Sequence, residues 1–292
     1  MQEKIMPTAP PKLSRVDIPD AQIHYLAYGD CGPTVVLLHA TGFLPWLWHP
    51  IAEALAKDHR VIAPCFYNHR PSDLYAGGLP WLRLADDLKQ MCIRLGIENP
   101  YLVGHSMGAT VATLAHAVHG ASSACLILIE PIFLPPEAYR TPMRPDQHPL
   151  AGKAIKRRNH WPDRAAVRKD FKAKPFFRSW EAEVLGLYIE YGIRAAGASG
   201  VELSCSPWQE ASLFMGGMHH DPWPELPKVS CPALVVEGGK SENRLWIDLK
   251  RAAELIPHGR YAKVEDAGHL VPMEKPAQTA RLIRSFIEES VR

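Results

Sequence analysis

The stretch that most constrains how this chain can fold is 102–109, which reads Leu-Val-Gly-His-Ser-Met-Gly-Ala. Its Gly-x-Ser-x-Gly pattern follows an apolar run at 100–103 and precedes a run of small residues at 109–119. The first run predicts a strand and the second a helix, so Ser106 is expected at a tight strand-to-helix turn. Glycines two residues to either side leave room for the strained backbone of such a turn. The helix that follows adds unpaired N–H groups and the positive end of its dipole, which suits stabilisation of an oxyanion.

Short apolar runs recur along the chain, and segments with helical spacing separate them. In one such segment Leu84, Leu88, Met91 and Leu95 fall on one face of a helix. Alternating strands and helices predict an α/β fold whose mostly parallel, doubly wound sheet is covered on both faces. The apolar runs are 34–38, 60–64, 100–103, 125–129, 233–236 and 261–264, an antiparallel pair is expected at 14–18 and 22–27, and further helices at 50–57, 245–255 and 277–289.

The segment 133–227 differs in composition from the rest of the chain. It is rich in Pro, Trp and Arg and has no pattern of a buried strand, whereas 164–172 and 180–195 have helical patterns. We therefore predict a helical cap that is inserted after the sixth strand. The core of the fold is then formed by residues 12–132 and 228–292.

Composition and short motifs exclude several classes of function. The formal net charge of +2 is too balanced to indicate a nucleic-acid partner. No apolar run approaches the roughly 20 residues of a membrane span, and the segment 1–11, predicted to be disordered, lacks the apolar centre of a secretory signal. Neither a Gly-x-Gly-x-x-Gly nor a P-loop pattern is present, so no cofactor is expected. The six cysteines form no Cys-x-x-Cys pair, which predicts a reducing, cytoplasmic setting without disulfides.

Taken in order, four features resemble the α/β-hydrolase fold superfamily. They are the His-Ala-Thr-Gly segment at 39–42, the turn at Ser106, the inserted segment, and Asp-Ala-Gly-His at 266–269. The resemblance spans about residues 14–290 and implies a capped serine hydrolase on a sheet of the α/β-hydrolase type. A narrower resemblance, to a bacterial branch of capped hydrolases that supplies no substrate, rests on 39–43, 128–131 and 200–203.

The same resemblance implies which groups carry the chemistry. Ser106 is expected to be the nucleophile and His269 its base, because a serine hydroxyl is unreactive at neutral pH without one. Two backbone N–H groups should hold the oxyanion. Met107, directly after the nucleophile, is expected to supply one of them. Thr41 is expected to supply the other, with Phe43 as the alternative.

The acid of the triad is the main departure from the common pattern. It usually follows the strand predicted at 233–236, but the aligned residue here is Ser241. A serine hydroxyl cannot balance a positive imidazolium as a carboxylate can. Glu130 follows another predicted strand, at the edge of a parallel sheet where sites assemble. We therefore predict Glu130 as the acid, with Glu242 as the alternative.

Four other features bear on the site, and two of them have more than one interpretation. The loop 65–73 lacks the glycines of the Asp-x-x-Gly-x-Gly-x-Ser pattern of many relatives, so it either reshapes the pocket or is a structural loop. His39 is expected to brace the oxyanion loop. His-His-Asp at 219–221 does not predict a metal site, because adjacent side chains rarely converge on one ion. The basic segment 153–178 either steers an anionic substrate or forms a solvated helical face.

The favoured function is hydrolysis of an ester or thioester of a small, partly apolar carboxylic acid, which makes the partner a small-molecule substrate. Aromatic residues such as Trp46 and Trp180 either line an acyl pocket or pack between cap and sheet. Hydrolysis of a carbon–carbon bond uses the same triad and stays open. So does a non-catalytic receptor that keeps the pocket. The oligomeric state is not predicted.

Overall fold

A computed structural model of the chain describes residues 9–197 and 199–290, and the predicted lead-in falls outside these residues up to position 8. Its centre is an eight-stranded sheet in the order β1-β2-β4-β3-β5-β6-β9-β10. The pairs β1–β2 and β2–β4 are antiparallel, and every pair from β4 to β10 is parallel. The predicted fold class is therefore confirmed. The strands are β1 Ser14–Ile18, β2 Ala21–Tyr28, β3 Thr34–Leu38, β4 Arg60–Pro64, β5 Tyr101–His105, β6 Cys125–Ile129, β9 Ala233–Gly238 and β10 Gly259–Val264.

The central strands are apolar along their whole length because helices cover both faces of the sheet. Every residue of β5, β6 and β9 is buried. Their parallel register pairs His105 with Ile129 and Ile129 with Val236. The loops that leave these three strands therefore meet at one edge of the sheet.

Helices follow most strands, and α3 begins at Met107, two residues after β5 ends. Every residue of α3 from Met107 to Ala115 is buried, which its small side chains permit. The predicted helix at 245–255 begins only at Leu249, because the Asp248 carboxylate accepts the N–H of Arg251 at 2.9 Å and caps it there. These helices are α1 His49–Leu55, α2 Trp81–Arg94, α3 Met107–Ala117, α9 Leu249–Leu255, α10 Val271–Glu274 and α11 Pro276–Ser290.

The segment between β6 and β9 is mainly helical, with one small exception. Two three-residue strands, β7 Ile193–Ala195 and β8 Val201–Leu203, pair antiparallel. The helix predicted at 180–195 accordingly ends at Tyr191, before Gly192. Strands that are this short and only partly buried leave no periodicity in a sequence, so the sequence did not predict them. Its helices are α4 Pro136–Arg140, α5 Pro149–Ile155, α6 Arg164–Ala173, α7 Ala182–Tyr191 and α8 Pro207–Gly216.

Candidate active site

Ser106 occupies the turn between β5 and α3 in a conformation that side chains rarely adopt. Its φ is 55° and its ψ is −118°. Its N–H donates to the carbonyl of Ile129 at 2.9 Å, so the turn is held by the next strand. A non-glycine residue with positive φ costs about 1–3 kcal/mol, and such residues cluster at functional sites.

The two glycines of the motif are required by close backbone contacts. A Cβ atom on Gly104 would lie 2.3 Å from the backbone nitrogen of Ala109. A Cβ atom on Gly108 would lie 2.3 Å from the carbonyl oxygen of Leu38, at the end of β3. The turn is therefore packed against both its own helix and the loop that follows β3.

A continuous line of hydrogen-bonding atoms leads away from the Ser106 hydroxyl. Ser106 Oγ is 3.2 Å from His269 Nε2, and His269 Nδ1 is 2.9 Å from Glu130 Oε2. Ser106 and Glu130 are buried, whereas the His269 side chain is 28% exposed. The structure thus brings together three residues that are far apart in the sequence, in the order hydroxyl, imidazole, carboxylate.

Glu130 is held in place by the end of β9. It has a φ of 49°, and its N–H donates to the carbonyl of Val236 at 2.8 Å. Its Oε1 accepts the N–H of Gly238 at 2.6 Å, and its Oε2 accepts the hydroxyl of Ser241 at 2.7 Å. With His269 this gives three donors to a carboxylate that is 1% exposed. A charge buried this deeply needs such partners to offset its desolvation.

The alternative acid lies elsewhere. Glu242 is exposed, and within residues 9–197 and 199–290 no hydrogen bond or ion pair joins it to His269. The residue after it does reach the histidine, since Asn243 Nδ2 lies 2.9 Å from His269 Nδ1. The sequence carried no signal for Asn243, whereas it did mark Ser241 as a replacement for the usual acid.

His105 anchors the loop that carries His269. Its Nε2–H donates to the carbonyl of His269 at 2.8 Å, and the two rings lie 5.1 Å apart. Burial lowers the pKa of His105 to about 3, so the ring is neutral at physiological pH. This contact joins positions 105 and 269, which no local pattern in the sequence connects.

The loop after β3 is braced by His39, as expected from the sequence. The His39 Nε2 accepts the N–H of Phe66 at 2.9 Å, so Nδ1 carries the hydrogen and donates to the carbonyl of Ala40 at 2.8 Å. Burial lowers the pKa of His39 to about 4, which keeps this neutral tautomer. Phe66 belongs to the loop 65–73, so part of that loop has a structural role.

Among the described residues, no backbone carbonyl accepts the N–H of Thr41 or that of Met107, the residue after Ser106. Met107 is the first residue of α3, where helix N–H groups lack partners. The N–H of Phe43, the alternative to Thr41, instead donates to the carbonyl of Ala40 at 3.1 Å.

The segment between β6 and β9 packs on the loop after β3. The ring of Phe43 lies 5.4 Å from that of Trp180 and 5.9 Å from that of Tyr188. A Cβ atom on Gly42 would lie 2.4 Å from the carboxylate of Glu210, which pairs with Arg157 at 2.5 Å. The pair of Arg157 and Glu210 therefore lies directly against this loop.

The side chains at 219–221 diverge. His219 Nε2 lies 2.8 Å from the carbonyl of Gly77, whereas His220 faces Glu225 at 3.3 Å. The Asp221 carboxylate accepts the N–H of Trp223 at 3.0 Å. Among the residues that the structure describes, no group of three His, Cys, Asp or Glu side chains could hold a metal ion.

The basic segment is largely a solvent-facing surface. Lys174 pairs with Asp170 at 2.8 Å, and Arg164 donates to backbone carbonyls. Other cations of the segment are exposed, among them Lys153, Lys156, Arg168, Lys169, Lys172 and Arg178. In the described part of the chain, the helices are too short or too polar to cross a bilayer.

Comparison with known proteins places these features in one family. The model of the alpha/beta hydrolase family matches residues 35–282. An abhydrolase domain-containing protein of Alternaria alternata, AKT2, is 29% identical over 233 residues, which cover 66% of this chain and 85% of that protein. N-formylmaleamate deformylase of Pseudomonas putida is 26% identical over 262 residues, or 86% of this chain and 87% of the relative. The crystal structure of E-2-(acetamidomethylene)succinate hydrolase superposes with a TM-score of 0.80 at 22% identity, covering 95% of this chain and 99% of that one.

Proposed function

Since this chain belongs to the alpha/beta hydrolase family, we propose that it is a serine hydrolase in which Ser106, His269 and Glu130 form the catalytic triad. The observation that carries the proposal is the unbroken line from Ser106 Oγ through both nitrogens of His269 to Glu130 Oε2, with distances of 3.2 and 2.9 Å. The positive φ of Ser106 supports it, since strain at a buried hydroxyl indicates a functional position.

In the proposed reaction Ser106 Oγ attacks the substrate carbonyl and His269 Nε2 takes the hydroxyl proton. Glu130 stabilises the imidazolium that forms and keeps the hydrogen of the resting ring on Nδ1. His269 then gives the proton to the leaving group, and an acyl ester on Ser106 remains. Water then attacks the acyl carbonyl while His269 takes its proton, and as that proton passes to Ser106 Oγ the carboxylic acid leaves and the hydroxyl is restored.

We assign the oxyanion hole to the N–H groups of Thr41 and Met107. The unused hydrogen-bonding capacity of both groups supports the assignment, and the bond from Phe43 to Ala40 argues against the alternative. Donors fixed before the reaction are worth about 10²–10³-fold in rate each. Because Gly108 packs against the carbonyl of Leu38, the helix that carries Met107 stays next to the loop that carries Thr41.

For the substrate we propose an ester or thioester of a small, partly apolar carboxylic acid. The aromatic cluster of Phe43, Trp180 and Tyr188 beside the proposed oxyanion loop supports an apolar acyl group. We propose that residues 133–227 form a cap that shapes the binding site for this acyl group. For the compartment we propose the cytoplasm, because the sequence has no paired cysteine motif.

Hydrolysis of an amide is a second candidate, and the similarity to N-formylmaleamate deformylase favours it. The same triad cleaves an amide when the leaving nitrogen is protonated by His269. Hydrolysis of a carbon–carbon bond in a diketone would use these residues as well.

The test combines an activity probe with a substrate panel. A fluorophosphonate should label the wild-type protein at Ser106 and leave Ser106→Ala unlabelled. Acyl esters, thioesters, N-acyl amides of small unsaturated acids and diketones then rank the candidate reactions by kcat/KM. Failure of the wild-type protein to react with the probe would favour the receptor and overturn the proposed triad.

A further inference from the structure

We propose that Asn243 is a positioning residue for His269, and that position 243 can carry a working carboxylate in this site. The inference rests on the proposed triad and adds to it a group from the loop after β9. It concerns how the imidazole is held in the form that accepts the Ser106 proton.

Two side chains share the Nδ1 atom of His269. Glu130 Oε2 and the terminal amide of Asn243 both lie 2.9 Å from it. Ser241, at the position where the acid is usual, contacts Glu130 instead. Among the described residues no hydrogen bond joins Ser241 to the ring.

The backbone around Asn243 fixes this side chain close to the ring. Its N–H donates to Ser241 Oγ at 3.3 Å, and its carbonyl accepts the N–H groups of Trp246 at 2.9 Å and Ile247 at 2.8 Å. These backbone hydrogen bonds hold Asn243 in a short turn, from which its side-chain amide reaches His269 Nδ1.

The chemistry of the ring decides which end of the amide can face it. For Nε2 to accept the Ser106 proton, Nδ1 must carry the hydrogen, and an NH₂ group cannot donate to it. A half-turn about χ2 of Asn243 presents the oxygen, so that Nδ1–H is shared between Glu130 Oε2 and Asn243 Oδ1. The opposite orientation favours the tautomer with hydrogen on Nε2, in which His269 cannot act as a base. Asn243 thus acts through the tautomer of His269 and does not need to touch substrate.

The charges around His269 are few. Glu130 faces it from the end of β6, and the neutral ring of His105 faces it from the end of β5. Glu274 on α10 accepts the N–H of Gly268 at 3.0 Å, and Asp266 pairs with Lys240 at 3.0 Å. Within the described chain, Glu130 is therefore the one carboxylate bonded to the ring, and an aspartate at 243 would be a second.

The experiment measures the rate of fluorophosphonate labelling, which needs no knowledge of the substrate. Glu130→Gln should slow labelling by about 10²-fold, and adding Asn243→Asp should recover about tenfold or more of that loss. Glu242 precedes Asn243 and is exposed. Its carboxylate is present in both the single and the double variant, so it cannot account for any recovery. A matched Glu130→Gln, Asn243→Leu protein should recover nothing.

Single variants separate positioning from a structural role. The pH dependence of labelling reports the pKa of the free-enzyme base. In the profile of labelling rate against pH, the acidic limb is the range in which the rate rises as the base loses its proton. Asn243→Ala should move this limb to lower pH and slow labelling about fivefold, whereas Asn243→Asp should move it to higher pH. A role in shape alone would change the rate without moving the limb.

Absence of recovery by Asn243→Asp, together with an unmoved limb in both single variants, overturns the inference while the triad stands. An unlabelled wild-type protein overturns the triad itself. Equal melting temperatures for all variants establish that the rates compare folded proteins.

Discussion

The ends of β6 and β9 lie side by side at one edge of the sheet but carry different chemistry. Glu130, a buried carboxylate, directly follows β6, while β9 supplies the Gly238 N–H and the loop after it supplies the Ser241 hydroxyl and the Asn243 amide. Neighbouring strands are about 4.8 Å apart, so a side chain from either end can reach the same imidazole. We propose from this difference that catalysis needs a carboxylate near His269 Nδ1 but not a particular strand to supply it.

We expect the largest loss of turnover when the Ser106 hydroxyl is removed. Ser106→Ala should lower turnover on the order of 10⁴-fold or more, because it removes the nucleophile and leaves only the rate that the oxyanion donors and substrate binding supply. The measurement is kcat/KM on the best substrate of the panel, with the melting temperature as the control for folding. Turnover close to that of the wild-type protein would transfer catalysis away from Ser106.

The two candidate acids test the comparison directly. Glu130→Gln should lower turnover by about 10²-fold or more, because a neutral amide cannot stabilise the imidazolium. Glu242→Gln is the matched control and should change turnover little, since Glu242 is exposed. The reverse ranking would move the acid to the loop after β9.

Ser241→Ala tests how much the loop after β9 contributes to holding the carboxylate of Glu130, which follows β6. Loss of the hydroxyl, 2.7 Å from Glu130 Oε2, removes one of three donors to a buried charge. We expect turnover to fall about fivefold and the free energy of unfolding to fall by about 1–2 kcal/mol. Chemical denaturation measures the second quantity, and Ser241→Thr, which keeps the hydroxyl, should largely restore both. Unchanged stability in Ser241→Ala would mean that Glu130 does not depend on this partner.

A neutral histidine ends β5 and another directly follows the neighbouring strand β3, which gives a third contrast and the smallest expected effect. Burial lowers the pKa of His39 to about 4 and that of His105 to about 3, below the usual 6.5. The unfolded chain therefore binds more protons below pH 6.5. The stability that these rings contribute is complete above pH 6.5 and declines as the pH falls toward 4. Melting temperatures between pH 7 and 5 measure this.

The control for that measurement is His105→Gln, which keeps a side-chain donor and removes one titrating group. Its melting temperature should depend less steeply on pH over the same range. A wild-type melting temperature that is constant from pH 7 to 5 would contradict the neutral, buried assignment of both rings.

Local patterns were enough to predict the turn at Ser106 and the strand ends around it. The spacing of Gly104 and Gly108 reflects contacts within a few residues, and continuous apolar runs mark strands that are buried on both faces. The prediction of Glu130 combined the serine at position 241, where the acid is usual, with the place of Glu130 after a strand, which the parallel register then brings to His269.

Features that depend on distant contacts could not be predicted in this way. The approach of Asn243 to His269 and the bond from His105 to the carbonyl of His269 join segments that the sequence does not connect. The three-residue strands β7 and β8 are too short to leave a period in the sequence. Hydrogen bonds between segments, rather than local propensity, define all three.

Glu130 follows β6 but is hydrogen-bonded by Gly238 and Ser241 at the end of β9 and just after it. This arrangement affects how such proteins are recognised and how they diverge. A search that demands an aspartate in the loop after β9 would discard this chain as a broken enzyme, although a carboxylate lies 2.9 Å from its histidine. Because Ser241 contacts that carboxylate and Asn243 contacts the same histidine, we expect that a lineage can carry two acids for a time and then lose either one. The charge can thus migrate between strands through intermediates that never lack it.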